Sequence, residues 1–188
     1  MQADAILGPV NLEASVGYTS ARFVKDSKNR IALNGDAISG QEAINGAPGT
    51  SPPWSISVGA QYNFKLIEHD AFARLDFEFT SRNPWLAPIQ DPNAKQYVSN
   101  TLYNISPSLP STRFLQFRSG MTLGGWQVSV FVDNVLNYHP VTNYERVFTD
   151  AYNPLQDPVP QTVGVPGPQY NYYTFRPLTV GLSATFRH

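Results

Sequence analysis

Apolar and polar residues alternate singly along six separate stretches of this chain, and the connections between them are by turns very short and very long. The last stretch is the plainest. Leu178, Val180, Leu182, Ala184 and Phe186 fall on one parity, and Thr179, Gly181, Ser183, Thr185 and Arg187 on the other. Strand side chains point to opposite faces with period two, so such a stretch reads as a strand with one apolar and one polar side. No stretch carries the apolar period of a helix.

The first strand follows Gly8-Pro9 and sets Leu12, Ala14, Val16 and Tyr18 against Glu13, Ser15, Gly17 and Thr19. The second sets Trp54, Ile56, Val58, Ala60, Tyr62, Phe64 and Leu66 against Ser55, Ser57, Gly59, Gln61, Asn63 and Lys65. A turn is expected at Glu68-His69-Asp70, and a third strand then opposes Ala71, Ala73, Leu75, Phe77 and Phe79 to Arg74, Asp76, Glu78 and Thr80. The fourth carries Leu115, Phe117, Met121 and Leu123 against Gln116, Arg118, Gly120 and Thr122. Gly124-Gly125 is a two-residue hairpin signal. The fifth puts Trp126, Val128, Val130 and Val132 opposite Gln127, Ser129 and Asp133. Residues 24–53, 81–111 and 138–171 read as three long loops.

Of the 16 prolines, all but Pro9 and Pro177 lie in those three segments, where no ladder has to tolerate them. Loops beyond about 12–15 residues are uncommon in compact soluble domains. Short turns on one side and long loops on the other are the rule in outer-membrane barrels, and a tilted strand of ~9–11 residues crosses a bilayer. The expected fold is therefore all-β: a wall segment of an antiparallel transmembrane β-barrel, of about six strands, with short periplasmic turns and long extracellular loops. Residues 1–188 form one unit on this reading. Six strands are too few to close a barrel whose smallest members have about eight. The alternative is a soluble β-sandwich acting as a binding module. Against it, the polar faces are rich in Ser, Thr, Gly, Asn and Gln and poor in Lys, unlike a charged soluble surface. Aromatic residues are expected at both rims of the apolar face, with Trp54, Trp126 and Phe186 at one and Tyr18 and Phe79 at the other.

Composition removes other classes. A net charge of −1 with 14% charged residues offers no basic patch for nucleic acid. The absence of cysteine excludes disulfides and thiolate metal sites. No apolar run is long enough for a membrane helix. The N-terminus lacks the regions of a signal peptide, so the chain is expected to begin partway through a longer exported protein.

Phe175-Arg-Pro-Leu-Thr-Val-Gly-Leu-Ser-Ala-Thr-Phe-Arg187 resembles the terminal strand of TonB-dependent receptors, and Val132-Asp-Asn-Val-Leu-Asn-Tyr138 resembles their penultimate-strand signature. The match covers mainly residues 126–188. The family usually closes on an aromatic residue; here Phe186 is followed by Arg187 and His188, and His188 keeps the apolar parity. The resemblance implies an outer-membrane active transporter with a plug and a TonB box, neither of which this chain contains. It implies import of a scarce large ligand of the siderophore, cobalamin-like or carbohydrate class. It also implies the partners: outer-membrane lipid, the TonB complex through the plug, and the barrel-assembly machinery through the C-terminal strand. The expected residence is the Gram-negative outer membrane with His188 periplasmic. A passive porin and a surface-binding barrel are the alternatives.

No catalytic arrangement is expected. Asp76 and Glu78 share a face, but mixed charges that pair across neighbouring strands are ordinary on a lumen wall. His69, His139 and His188 form no triad with Ser and Asp. Asp26-Ser-Lys-Asn and Asp91-Pro-Asn lack the ligand spacing of a calcium loop, so no metal or cofactor is assigned. The loops are richer. Trp85, Tyr138, Tyr144, Tyr152, Tyr170 and Tyr172 lie in them among Asn and Gln, and aromatic faces with amide groups suit a sugar or an aromatic chelate. These six are the candidate ligand contacts, with packing of the loops onto themselves as the alternative role.

Overall fold

The computed structural model of the chain describes residues 1–25, 27–33, 36–43, 45–49, 51–85, 109–147 and 169–186. Eleven strands run in order: β1 Gln2–Leu7, β2 Val10–Tyr18, β3 Ser27–Leu33, β4 Asp36–Ala43, β5 Trp54–Leu66, β6 His69–Thr80, β7 Thr112–Leu123, β8 Trp126–Asp133, β9 Val141–Val147, β10 Gln169–Thr174 and β11 Thr179–Phe186. Seven of them form one antiparallel sheet in the order β1-β2-β5-β6-β7-β8-β11, while β3-β4 and β9-β10 are separate two-stranded ribbons.

The sheet contains the six expected strands and one more, β1, which pairs with β2 from Gln2↔Ser15 to Leu7↔Val10. Two of the three long connections also carry structure of their own. The β3-β4 ribbon lies within 24–53 and the β9-β10 ribbon within 138–171. The two ribbons form ladders separate from the wall sheet, and neither carries the clean apolar alternation that marks the wall strands. The Asn34-Gly35 signal falls between the paired Leu33 and Asp36.

Register keeps the two faces continuous across all seven strands. On the apolar face one row runs Ala5, Leu12, Ala60, Leu75, Phe117, Val132 and Val180. On the polar face another runs Asp4, Glu13, Gly59, Asp76 and Gln116. A slip of one residue anywhere would mix the faces, and none occurs. The apolar face is bare: Val58 is 43% exposed, Leu75 47% and Leu182 81%. Among the described residues Ala71 is the only buried hydrophobic side chain. Two polar residues take apolar-face parity on β7: Arg113 at the rim, opposite Phe79, and Ser119 between Ala73 and Val130, its hydroxyl donating to the Phe72 carbonyl at 2.9 Å.

The connections alternate as expected. Gly8-Pro9, Ile67-Glu68 and Gly124-Gly125 close one end, and the long segments leave the other. The middle turn sits earlier than expected, because His69 and Asp70 already pair with Leu66 and Lys65. Ile67 and Glu68 both take positive φ, 51° and 66°, as a type I′ hairpin demands. Neither is the Asn or Gly that normally signals that turn, so its register was misplaced by about one residue.

Aromatic side chains mark both rims, but Trp54 was expected at the wrong one. It starts β5 opposite Tyr18, with ring centroids 4.6 Å apart, at the long-loop end near Phe79. Trp126 and Phe186 meet at the short-turn end, 5.0 Å apart, and the stacked Tyr62–Phe64 pair lies towards that same end. Antiparallel neighbours run in opposite directions, so Trp54 and Trp126, each starting its strand but three places apart in the order, begin at opposite rims.

Seven alternating strands also leave β1 and β11 pointing the same way. Their outer edges would meet in parallel, so the sheet is open, and antiparallel closure requires an odd number of further strands.

Candidate functional site

Two polar arrangements and one aromatic ribbon stand out. The first lies at the centre of the polar face. Arg74 on β6 donates through Nε to both oxygens of Asp76, at 2.9 and 2.8 Å, and through Nη2 to Glu13 Oε2 at 2.8 Å. Glu13 lies on β2, so the guanidinium reaches across β5. Gly59 makes the crossing possible, because a Cβ there would sit 2.9 Å from both Arg74 Nη2 and Asp76 Oδ1. Asp76 is thus committed to Arg74 rather than paired with Glu78, which faces Ser57 and Phe114 across the ladders. With Gln2 and Asp4 these residues line an open concavity of 370 Å³. The arrangement fixes charge on the face; both of its carboxylates are held as acceptors.

Aromatic rings cover bare backbone elsewhere on this face. Gly181 on β11 lies beneath the Phe131 ring of β8, and a Cβ on Gly181 would fall inside that ring. Phe131 has polar-face parity, so its apolar bulk is used locally, within the wall.

The second arrangement is built on the segment after β8. Asn134 is completely buried and has φ 51°. Its Nδ2 donates to the carbonyls of Tyr138 (3.0 Å) and Arg176 (2.8 Å), and its Oδ1 accepts the Tyr138 N–H at 3.0 Å. Asn137, also in the left-handed region at φ 47°, accepts the Leu178 N–H on Oδ1 at 3.1 Å. The Val135 N–H reaches the Leu115 carbonyl at 2.8 Å, and Phe114 packs on Phe175 with centroids 4.9 Å apart. The two stretches that carry the family resemblance are therefore one contact network. Its role was missed in the sequence, where Asn134 and Asn137 read only as motif letters.

This network is the base of the β9-β10 ribbon. Tyr144 on β9 and Tyr172 on β10 are direct cross-strand partners, and Tyr172 is 56% exposed. Tyr170 is in the same ladder, paired with Arg146. Tyr173, not among the six candidates, pairs with Asn143 on the other parity and is about half exposed. Tyr138 lies at the foot, its hydroxyl donating to the Ser111 carbonyl at 3.3 Å, so it serves the packing alternative at least in part. Trp85 belongs to a different connection, where its N–H is held by Asn83 Oδ1 at 3.0 Å. Tyr152 lies outside the described residues, as do Asp26, Asp91, Arg187 and His188. The structure thus joins Tyr144, Tyr170 and Tyr172 in one ribbon, sets Tyr138 beneath it and leaves Trp85 apart. Among the described residues no three potential metal ligands come together.

Comparisons with known protein families, with curated proteins and with solved structures find no match to this chain.

Proposed function

We propose that the seven-stranded sheet is part of the wall of a transmembrane β-barrel in the outer membrane of a Gram-negative cell, and that the parent protein is a TonB-dependent receptor. The observation that carries the membrane half is the bare apolar face, which extends across seven strands with Ser119 and the rim residue Arg113 as its polar positions on β7, framed by aromatic rims. In water such a face costs about 25 cal/mol for each Å² exposed, whereas hydrocarbon is its natural solvent. A 13-residue strand such as β5 is ~43 Å long at ~3.3 Å per residue, and a tilt of ~45° brings it to roughly the ~30 Å of a bilayer core. A sandwich would need a second sheet over this face; the other sheets among the described residues are two-stranded ribbons.

The receptor half rests on the resemblance of residues 126–188, whose two motifs meet through Asn134. On this reading the polar face lines the lumen, the short turns and the C-terminus are periplasmic, and the β9-β10 ribbon stands outside the cell. The ribbon's tyrosines then contact an imported siderophore, cobalamin-like compound or carbohydrate.

Fractionation of cells making the parent protein tests the first half: it belongs in the outer membrane, with external protease cutting within 138–171 and sparing the three short turns. Recovery as a detergent-free soluble monomer would return the sandwich. Uptake tests the second half. Ligand accumulation that stops when TonB is removed marks a receptor, and accumulation indifferent to TonB marks a porin.

A further inference from the structure

Beyond the sheet, β2 and β5 continue as a short irregular ladder at the long-loop rim. Thr19 N–H donates to the Pro53 carbonyl, Gly49 N–H to the Ala21 carbonyl and Phe23 N–H to the Ala47 carbonyl, at 2.8, 2.8 and 3.0 Å. The ladder frames an open concavity of 310 Å³. Its wall towards the apolar face is the Tyr18–Trp54 ring pair, whose members are 61% and 45% exposed. The hydroxyl-bearing Ser20 and Ser51 line it as well, and among the described residues Arg22 is the only ionised one that does. Arg22 Nη1 donates to the Gly46 carbonyl at 3.0 Å, which holds the side chain to the ladder. A guanidinium has five N–H donors, so this bond uses one of them and others can meet an anion.

We propose that this concavity is a docking site for the headgroup of a phosphate-bearing lipid. The inference rests on the membrane reading and deepens it by naming one lipid class and its seat. Three features converge on an anionic amphiphile. A single positive charge with no acidic residue in the described lining favours a phosphate, which Arg recognises through paired N–H donors. The hydroxyls supply further donors at headgroup depth. The Tyr18–Trp54 pair, continuous with the apolar face through Val16 and Ile56, receives the upper part of an acyl chain. Amphipathic aromatic rings favour that boundary between hydrocarbon and water. The opposite rim has the Trp126–Phe186 pair and serves as the internal control.

The parent barrel, with Trp54 as its only tryptophan (Trp85→Phe, Trp126→Phe and Phe at any tryptophan outside residues 1–188), is refolded into phosphatidylcholine vesicles. The vesicles contain a minor fraction of brominated phosphatidylglycerol or, separately, brominated phosphatidylcholine. Trp54 fluorescence should be quenched several-fold more by the anionic lipid. Arg22→Gln should bring the two lipids level, Arg22→Lys should keep part of the preference, and inorganic phosphate should not displace the lipid. A companion parent barrel with Trp126 as its only tryptophan should show no preference that depends on Arg22. Equal quenching by both lipids in the parent, or a preference unaltered by Arg22→Gln, overturns the proposal and leaves the membrane reading standing. An equal Arg22 effect at Trp126 also overturns it, since that is general attraction. Quenching by neither lipid overturns the membrane reading and this site with it.

Discussion

Asn134 and Arg176 lie 42 residues apart, and a buried Asn134 Nδ2 donates to the Arg176 carbonyl at 2.8 Å. The same amide caps Tyr138, so one side chain ties the end of β8, the foot of the β9-β10 ribbon and the approach to β11. Two donors and one acceptor are all used, and the left-handed backbone there suits Asn better than most residues.

Replacing Asn134 with Ala strands the two carbonyls and the Tyr138 N–H. Each buried group left unpaired costs ~1–3 kcal/mol, and a left-handed Ala adds ~1–2 kcal/mol. Asn134→Gly removes the same hydrogen bonds without the backbone penalty. The urea midpoint of the refolded chain should fall for both, and further for Ala. An Ala variant that unfolds at the parent's midpoint would show that the network adds nothing.

Facing along β5 and β8 predicts opposite outcomes at adjacent positions. Val58 and Val130 lie mid-strand on the apolar face, and Ser57 and Ser129 on the polar face. Arg at the bilayer midplane costs ~2–4 kcal/mol when it faces lipid. Val58→Arg and Val130→Arg should impair folding into vesicles by about that much, whereas Ser57→Arg and Ser129→Arg should be milder. Equal losses on both faces would refute the assignment.

The turn at Ile67-Glu68 is built against its sequence. Both residues adopt positive φ, and Ile67 is 84% exposed, so its side chain gains little from packing. Left-handed backbone costs a non-glycine residue ~1–2 kcal/mol. Changing the pair to Asn-Gly, the preferred type I′ dipeptide, should raise folding stability by about 1–2 kcal/mol in urea titration. A loss of stability would mean that Ile67 or Glu68 makes a compensating contact.

The ribbon prediction concerns ligand binding. Tyr144→Ala and Tyr172→Ala remove one cross-strand pair and should each weaken binding of the transported ligand several-fold, with the wall still folded by protease resistance. Deletion of residues 145–165 should weaken it more. Undiminished binding in all three folded variants would reduce these aromatics to ribbon packing.

The wall strands were legible because each is marked twice, by alternation and by the short turn or long loop beside it. Leu12 to Tyr18, Trp54 to Leu66 and Thr179 to Phe186 all keep the face their parity assigned. The β1 strand was harder to see, since Gln2 to Leu7 alternates only weakly, with the small Ala3 and Ala5 on its apolar parity and Ile6 on the polar one. The rim of Trp54 was misjudged because parity reports a face and says nothing of direction along the strand.

Local residue order determined the strand class, both faces of the sheet and the alternation of short and long connections, because period-two patterning and prolines act within a few residues of themselves. Tertiary structure alone decided which distant residues share a site. Arg74 reaches Glu13 because register sets a glycine between them, and Asn134 meets Arg176 because β11 returns to β8 after a long excursion. Such meetings depend on strand order and on the absence of a single side chain at Gly59, and neither is written in the periodicity of any one stretch.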